Sequence, residues 1–340
     1  MRTNRSLQRD PPRLTARRPL ASFARLFRAG RPAEANSLLL PAIQGLARAL
    51  PLSIGYRIAD LSADLHRTCA RDRRAALAEN LRILTGEPDP DAERRAFRHY
   101  SRFVFEFLRG PDVPEAEFRF EGLDRLEAAR AAGRGAILAV PHAGNWLIGG
   151  ARLARLGHPV VAVAGVQLVS AWTDRIRAQQ RAQGIEIVSS GVAGGRALRR
   201  ALAANSVVAL LADGDVYRGG HPVAFAGHRV ILPEGPARLA QRTGAPLFPA
   251  FAFRLPDGSF RCEIRSEIPV PEGEAGIRAA TAEIGRTLET ILSVDPAQWL
   301  LFRRFFAPVG HGPEAARTRG AGSTRDAATE RRAPVLGRAS

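Results

Sequence analysis

Two short stretches of this chain carry side chains suited to acid–base chemistry. The first, GRGAILAVPHAGNWLIGG, runs from an apolar segment into Pro141, His142, Gly144, Asn145 and Trp146. The second, SVVALLADGDV, runs from another apolar segment into Asp213, Gly214 and Asp215. An imidazole takes and returns protons near neutral pH, and a carboxylate beside it fixes the tautomer and stabilises the imidazolium. If the two stretches are neighbouring strand ends, His142 with Asp213 or Asp215 forms a general base and its orienting acid.

The elements that would position these groups are legible in the spacing of apolar residues. After Pro111 and Pro114 short apolar runs alternate with helix-length segments, the mark of βα units. The pattern predicts strands over 136–140, 160–164, 185–188, 207–211, 247–253 and 260–268. Helices are predicted over 123–132, 145–156, 169–183, 195–203, 233–242 and 277–293. The expected fold is α/β, a mostly parallel central sheet flanked by helices, in which reactive groups sit beyond the carboxyl ends of the strands. Both stretches above fall at such ends. Upstream, Ile58, Leu61 and Leu65, then Leu77, Leu81 and Leu84, recur at three and four residues, and Gly86 with Pro88 ends the run. A second amphipathic helix is predicted over 91–108, with Phe97, Tyr100, Val104, Phe107 and Leu108 on one face. These read as packing helices.

Composition narrows the function classes. With 340 residues, 45% hydrophobic and 24% charged, the chain is globular, which excludes a wholly disordered or collagen-like protein. The net charge is +17, and every one of the 50 basic residues is Arg. Nine of them fall in residues 1–36 against only Asp10 and Glu34. Such an arm asks for an anionic partner, and the segment that follows points to a membrane surface. Residues 37–56 are apolar but interrupted by Pro41, Arg48 and Pro51, so they do not make the roughly 20-residue apolar span that crosses a bilayer. They read either as an in-plane membrane-contacting segment or as a helix covering the domain core. No nucleic acid is expected as a partner, because no recognition fold, zinc-finger spacing or RNP motif accompanies the charge. Cys69 and Cys262 stand far apart with no CxxC pattern, so two reduced thiols are expected. His221 and His228, with Asp213 and Asp215 upstream, match no zinc spacing, and no metal is expected. The organisation predicted is an Arg-rich disordered arm over 1–36, a helical membrane-proximal region over 37–110, an α/β domain over 111–306 and a disordered tail over 307–340.

The ordered set of motifs adds a further reading. RRAALAENLR at 73–82, FEGLDRL at 120–126, PHAGNW at 141–146, DGD at 213–215, VAFAG at 223–227, LPEGPARLAQRTGAPLFP at 232–249 and QWLLFRRFF at 298–306 follow one another along the chain. In this order they resemble the bacterial lipid A and phosphatidylinositol mannoside acyltransferases, a branch of the glycerolipid acyltransferase superfamily. The resemblance covers roughly residues 73–306. It implies an enzyme at the cytoplasmic face of the bacterial plasma membrane, peripheral or monotopic, that moves a fatty acyl group from an acyl thioester to a hydroxyl of a glycolipid. The donor would be acyl-CoA or an acyl carrier protein, with no resident cofactor. His142 falls at the family's catalytic histidine. Asn145, Arg177, Arg181, Arg303 and Arg304 are the candidates for oxyanion or substrate binding, the last two for a phosphate of the donor. The chain departs from the family at one point: the motif is His-x-x-x-x-Asp/Glu, and here the fifth position after His142 is Leu147. Three outcomes follow. Asp213 or Asp215 replaces the missing acid, Asn145 fixes the tautomer without charge, or the protein is a relative that binds lipid or membrane without chemistry.

Overall fold

The strands of the βα alternation are short, four to eight residues, and in the computed structural model seven strands join one sheet. The structure describes residues 32–110, 117–164, 170–214 and 220–306. Four helices come first: α1 (Pro32–Ala49), α2 (Leu52–Cys69), α3 (Arg71–Thr85) and α4 (Pro90–Arg109). The βα units follow as β1 (Phe118–Glu121), α5 (Leu123–Ala131), β2 (Ala136–Val140), α6 (Trp146–Arg155), β3 (Val160–Ala164), α7 (Ser170–Ala182), β4 (Ile185–Ser189), α8 (Val192–Ala203) and β5 (Val207–Leu211). A hairpin, β6 (Gly220–Phe225) and β7 (His228–Pro233), precedes α9 (Gly235–Thr243), β8 (Leu247–Arg254), β9 (Phe260–Ile264), α10 (Gly273–Val294) and a 3-10 turn at Pro296–Gln298.

The sheet order is β1-β9-β8-β2-β5-β3-β4. Every neighbouring pair is parallel except β8 with β9. The fold class is therefore α/β, as the alternation predicts. Register aligns Ala136, Val207, Val160 and Ile185 in one row, so β2, β5, β3 and β4 start level and their carboxyl ends open on the same side. One face of the sheet packs on α5 and α6 through Leu126, Ala129, Ala151 and Leu153. The other packs on α8, α9 and α10 through residues such as Leu198, Leu239, Ile284 and Leu288, with the hairpin's Val223 and Leu232 in the same core.

Two elements escape the apolar-run rule. β1 is an edge strand with alternating exposure, and the hairpin forms its own two-stranded sheet. β9 ends at Ile264, short of the predicted 268. Pro249 on β8 accepts from the Arg265 N–H at 2.8 Å but has no N–H to return, so the reciprocal ladder stops there. Helix α1 starts at Pro32, ahead of residue 37 where the helical region was placed.

The N-terminal helices split the expected packing. Leu77 and Leu81 of α3 are buried, together with Phe97 of α4. Ile58, Leu61 and Leu65 of α2 are 52%, 71% and 68% exposed, so here the packing expectation is corrected. What α2 buries is its row of small residues, Gly55, Ala59 and Ala63, which lets it lie close on α4. Ion pairs fix that contact: Arg102 to Asp60 at 2.6 Å, and Arg94 and Arg98 to Asp64 at 2.9 and 2.8 Å. The two arginines hold the Asp64 carboxyl well below the usual carboxylate range. Among the described residues no helix is long and apolar enough to cross a membrane.

Candidate active site

Strand β2 ends at Val140, and the next residues make a turn that the sheet cannot accommodate without glycine. Gly144 has φ +63°, and a β-carbon there would collide with the Ala252 carbonyl. Three backbone bonds tie the turn down: Asn145 N–H to Ala252 O at 2.8 Å, Gly144 N–H to Gln298 O at 2.9 Å and Leu300 N–H to His142 O at 2.7 Å. The Asn145 side chain then caps α6, its Oδ1 accepting from the Ile148 N–H at 3.0 Å.

Strand β5 is the parallel neighbour of β2, and Asp213 lies just past its end. The topology therefore brings Asp213 to His142. His142 Nδ1 stands 2.6 Å from Asp213 Oδ1, and the His142 backbone N–H donates to Asp213 Oδ2 at 2.8 Å. Trp299 Nε1–H donates to the same Oδ2 at 2.9 Å. Asp213 is fully buried, while the His142 side chain is 25% exposed. Burial alone would raise the Asp213 carboxyl; the facing imidazole and the bonds from His142 and Trp299 outweigh it and hold the group below its ordinary value. Asp213 is thus a carboxylate at neutral pH and accepts only, so the proton between the two sits on Nδ1; in the neutral imidazole Nε2 then carries the lone pair. The Trp146 ring stands edge-on to the imidazole, with centroids 5.5 Å apart.

A cavity of about 360 Å³ opens beside the dyad, between α6 and the sheet. Pro141 and Ala143, the two neighbours of His142 in the chain, both line it. Its walls are mostly apolar, Leu138 and Val140 of β2, Ala209 and Leu211 of β5, Trp146, Leu147, Gly149 and Gly150 of the turn and α6, with Gln180 and Glu263 as the polar residues among them. Its size falls at the lower end of small-molecule sites, about 300–1,000 Å³.

The other predicted site residues divide. Asp215 lies outside the described residues. Asn145 is buried and both ends of its amide are used inside the protein, on Ile148 and on Glu106, so the tautomer of His142 is fixed by Asp213 and not by Asn145. The Arg303 guanidinium lies against Gly214, the residue after Asp213: a β-carbon on Gly214 would take the place of its Nη2. Arg304 reaches Glu79 at 3.4 Å instead. Arg177 donates to Ser189 Oγ at 3.2 Å on the edge strand β4, with β5 and β3 standing between it and β2. Arg181 is exposed in the last turn of α7, which leads to the start of β4 and not to the carboxyl ends. Neither is brought to His142. Among the described residues no cluster of three or more His, Cys, Asp or Glu forms a metal site. His221 is 4.0 Å from Glu234, and the His228 ring stands on Phe306.

Sequence reading missed three groups that build the site. Trp299 locks Asp213, and Gln298 beside it accepts from the Arg254 N–H and donates to the Arg254 carbonyl, both at 2.8 Å. Glu106 reaches the turn from α4 at Asn145. A lone acid among Phe103, Phe105 and Phe107, and an Arg closing the apolar strand β8, were the signals available.

Comparison with known proteins identifies the family. The family model for bacterial lipid A biosynthesis acyltransferases matches residues 23–307. The phosphatidylinositol mannoside acyltransferase of Mycolicibacterium smegmatis is 29% identical over 236 residues, 66% of this chain and 76% of the relative. That of Mycobacterium tuberculosis H37Rv is 30% identical over 238 residues, 66% of this chain and 74% of the relative. The family match spans both strand ends, the cavity and the Trp299 segment, and the chain belongs to the bacterial lipid A biosynthesis acyltransferases, enzymes of lipid biosynthesis.

Proposed function

We propose that this protein transfers a fatty acyl group from an acyl thioester, on CoA or acyl carrier protein, to a hydroxyl of a membrane glycolipid, with His142 as general base. The observation that carries the reading is the His142–Asp213 bond of 2.6 Å, next to a largely apolar cavity lined by Pro141 and Ala143, the chain neighbours of His142. The free Nε2 takes the proton of the acceptor hydroxyl while its oxygen attacks the thioester carbonyl. Asp213 stabilises the imidazolium so formed. The tetrahedral intermediate then collapses, the C–S bond breaks, and the imidazolium returns the proton to the leaving thiolate. Arg303, a cation laid against Gly214, stands ready to hold the oxyanion or a substrate phosphate. The acyl chain occupies the cavity. The missing motif acid at Leu147 is no obstacle to this chemistry, because Asp213 fills the role.

The same reading places the enzyme at the cytoplasmic face of the plasma membrane. Ile54, Ile58, Leu61 and Leu65 make one exposed apolar stripe on α2, and the net charge of +17 suits an anionic leaflet. The test is acyl transfer from radiolabelled long-chain acyl-CoA, and from acyl carrier protein, to a membrane-lipid extract, with wild type and His142→Ala side by side. Labelled lipid formed by wild type and absent with the variant is expected. Equal product from both sinks the role of His142, and none from wild type with either donor favours the non-catalytic relative.

A further inference from the structure

The turn that carries His142 is gripped by a buried charged cluster that includes Glu106 of α4 and to which the reaction above gives no task. Glu106 of α4, Arg254 at the end of β8 and Asn145 are 2%, 8% and 3% exposed. The Glu106 carboxylate receives Asn145 Nδ2–H at 2.6 Å on one oxygen. Its other oxygen receives the Tyr56 hydroxyl at 2.7 Å and the Arg254 guanidinium. That guanidinium also lies over the Phe260 ring, 4.5 Å from its centroid. Burial and the Glu106 charge push the Tyr56 phenol up, so Tyr56 is a neutral donor here.

A buried ion pair is a poor device for stability alone. Replacing both partners with apolar groups of similar volume is often neutral or stabilising. What Glu106 supplies that an apolar side chain cannot is direction. The two ends of the Asn145 amide have the same shape, and an acceptor-only carboxylate on one end forces Nδ2 toward Glu106 and Oδ1 toward Ile148. That orientation makes the cap that starts α6. One turn earlier on α4, Phe103 stacks on Trp146 at 4.5 Å, and Trp146 meets the His142 ring. Helix α4 thus holds two consecutive residues of the turn, Asn145 by charge and Trp146 by stacking. We propose that Glu106 is a positioning residue for His142, orienting the Asn145 amide and through it the turn that sets the imidazole against Asp213.

The test replaces the whole pair, Glu106→Leu with Arg254→Met, in the full-length protein, so that no buried charge is left alone. Three quantities are read: the thermal midpoint, kcat and KM separately, and the downfield proton resonance of His142 Nδ1–H, identified by its absence in His142→Ala. A misplacement of about 1 Å at a reacting group costs as much as 100-fold. The expected result is a midpoint close to wild type, KM within about twofold, kcat lower by roughly 10- to 100-fold, and a shifted or broadened resonance. A stable double variant with unchanged resonance and kcat overturns the proposal, as does a loss of activity that only follows a loss of folded protein. Should the double variant not fold, Asn145→Ser keeps a capping oxygen and removes the bond to Glu106; its resonance is expected to move in the same way, and an unmoved one overturns the proposal. The inference rests on the acyl-transfer reading only for kcat. The resonance is read without substrate, so an inactive wild type whose resonance is disturbed in the variant defeats that reading and leaves this one standing.

Discussion

The carboxyl ends of β2 and β5 and the outer face of α2 depart from ordinary burial in opposite directions. At the strand ends polar side chains are inside: Asp213 is fully buried, and Glu106 and Asn145 are nearly so. On α2 large apolar side chains are outside, with Leu61 and Leu65 about 70% exposed. The strand-end groups are saturated, each oxygen of Asp213 and of Glu106 meeting at least one donor. A saturated buried network specifies one geometry, which is what proton transfer needs. The α2 stripe is unsaturated, since its own helix contacts use the opposite, small-residue face. Order belongs to the first region; the second leaves an apolar face with no packing partner among the described residues.

The strongest way to break the first half of that contrast is Asp213→Asn. The variant keeps shape and burial but presents an amide where His142 Nδ1–H needs an acceptor. In the Ser-His-Asp triad the same change costs about 10⁴ in kcat, and a loss of roughly 10³–10⁴ in acyl transfer is expected here, measured at saturating donor. The carboxyl's folded pKa lies below its unfolded value of about 3.9. Its contribution to stability is therefore full above about pH 4 and is lost as pH falls through the folded value. Denaturant titrations of wild type and Asp213→Asn should show a stability difference that shrinks as pH falls below about 4. A difference that does not shrink below about pH 4 would contradict the carboxylate assignment.

The second half is tested by putting charge on the stripe. Full burial of a Leu or Ile side chain contributes about 1.5–3 kcal/mol. Partial insertion of Ile58 and Leu61 then makes Ile58→Glu with Leu61→Glu cost about 10- to 100-fold in partitioning to vesicles containing anionic phospholipid. Cosedimentation measures it. Because both side chains are mostly exposed, the thermal midpoint should stay within about 2 °C of wild type. Unchanged partitioning would mean that the stripe does not meet the bilayer.

The two regions also differ in how far the sequence discloses them. Strand positions over 136–140, 160–164 and 207–211 follow from apolar runs bounded by turn residues, and the structure has them at those residues. That His142 and Asp213 meet follows once β2 and β5 are neighbours, but the order β2-β5 is a tertiary fact that no local pattern contains. Periodicity fails differently on the helices. Ile58, Leu61 and Leu65 of α2 repeat like Leu77, Leu81 and Leu84 of α3, yet Leu77 and Leu81 are buried and the α2 set is exposed. A stripe of leucines says that a face seeks an apolar surface, not whether that surface is protein. The small residues of α2, at 55, 59 and 63, were the local sign that its close contact lies on the other side. The contacts of Glu106 and Trp299, though not the residues themselves, were illegible for a third reason: their partners are 39 and 86 residues away.

The smallest expected effect is the most direct test of why this chain lacks the family's acid. Leu147→Asp restores the His-x-x-x-x-Asp spacing, and if that spacing were what orients the imidazole the variant should gain activity. The geometry says otherwise. His142 Nδ1 carries one proton, already given to Asp213 at 2.6 Å, so a second carboxylate finds no donor there. Leu147 lines the apolar cavity, and an Asp in its place puts an unpaired acid where a fatty chain is proposed to lie, with burial working against its charge. We expect kcat within about threefold of wild type and a KM for long-chain donors higher by roughly three- to tenfold, the cost of one poorly paired polar group in an apolar site. Combined with Asp213→Asn, the added acid should rescue nothing, because residue 147 follows the Asn145 cap into α6 on the cavity side of the turn. A tenfold gain in either background would show that the imidazole can turn to residue 147, and would move the orienting acid from the neighbouring strand to the helix.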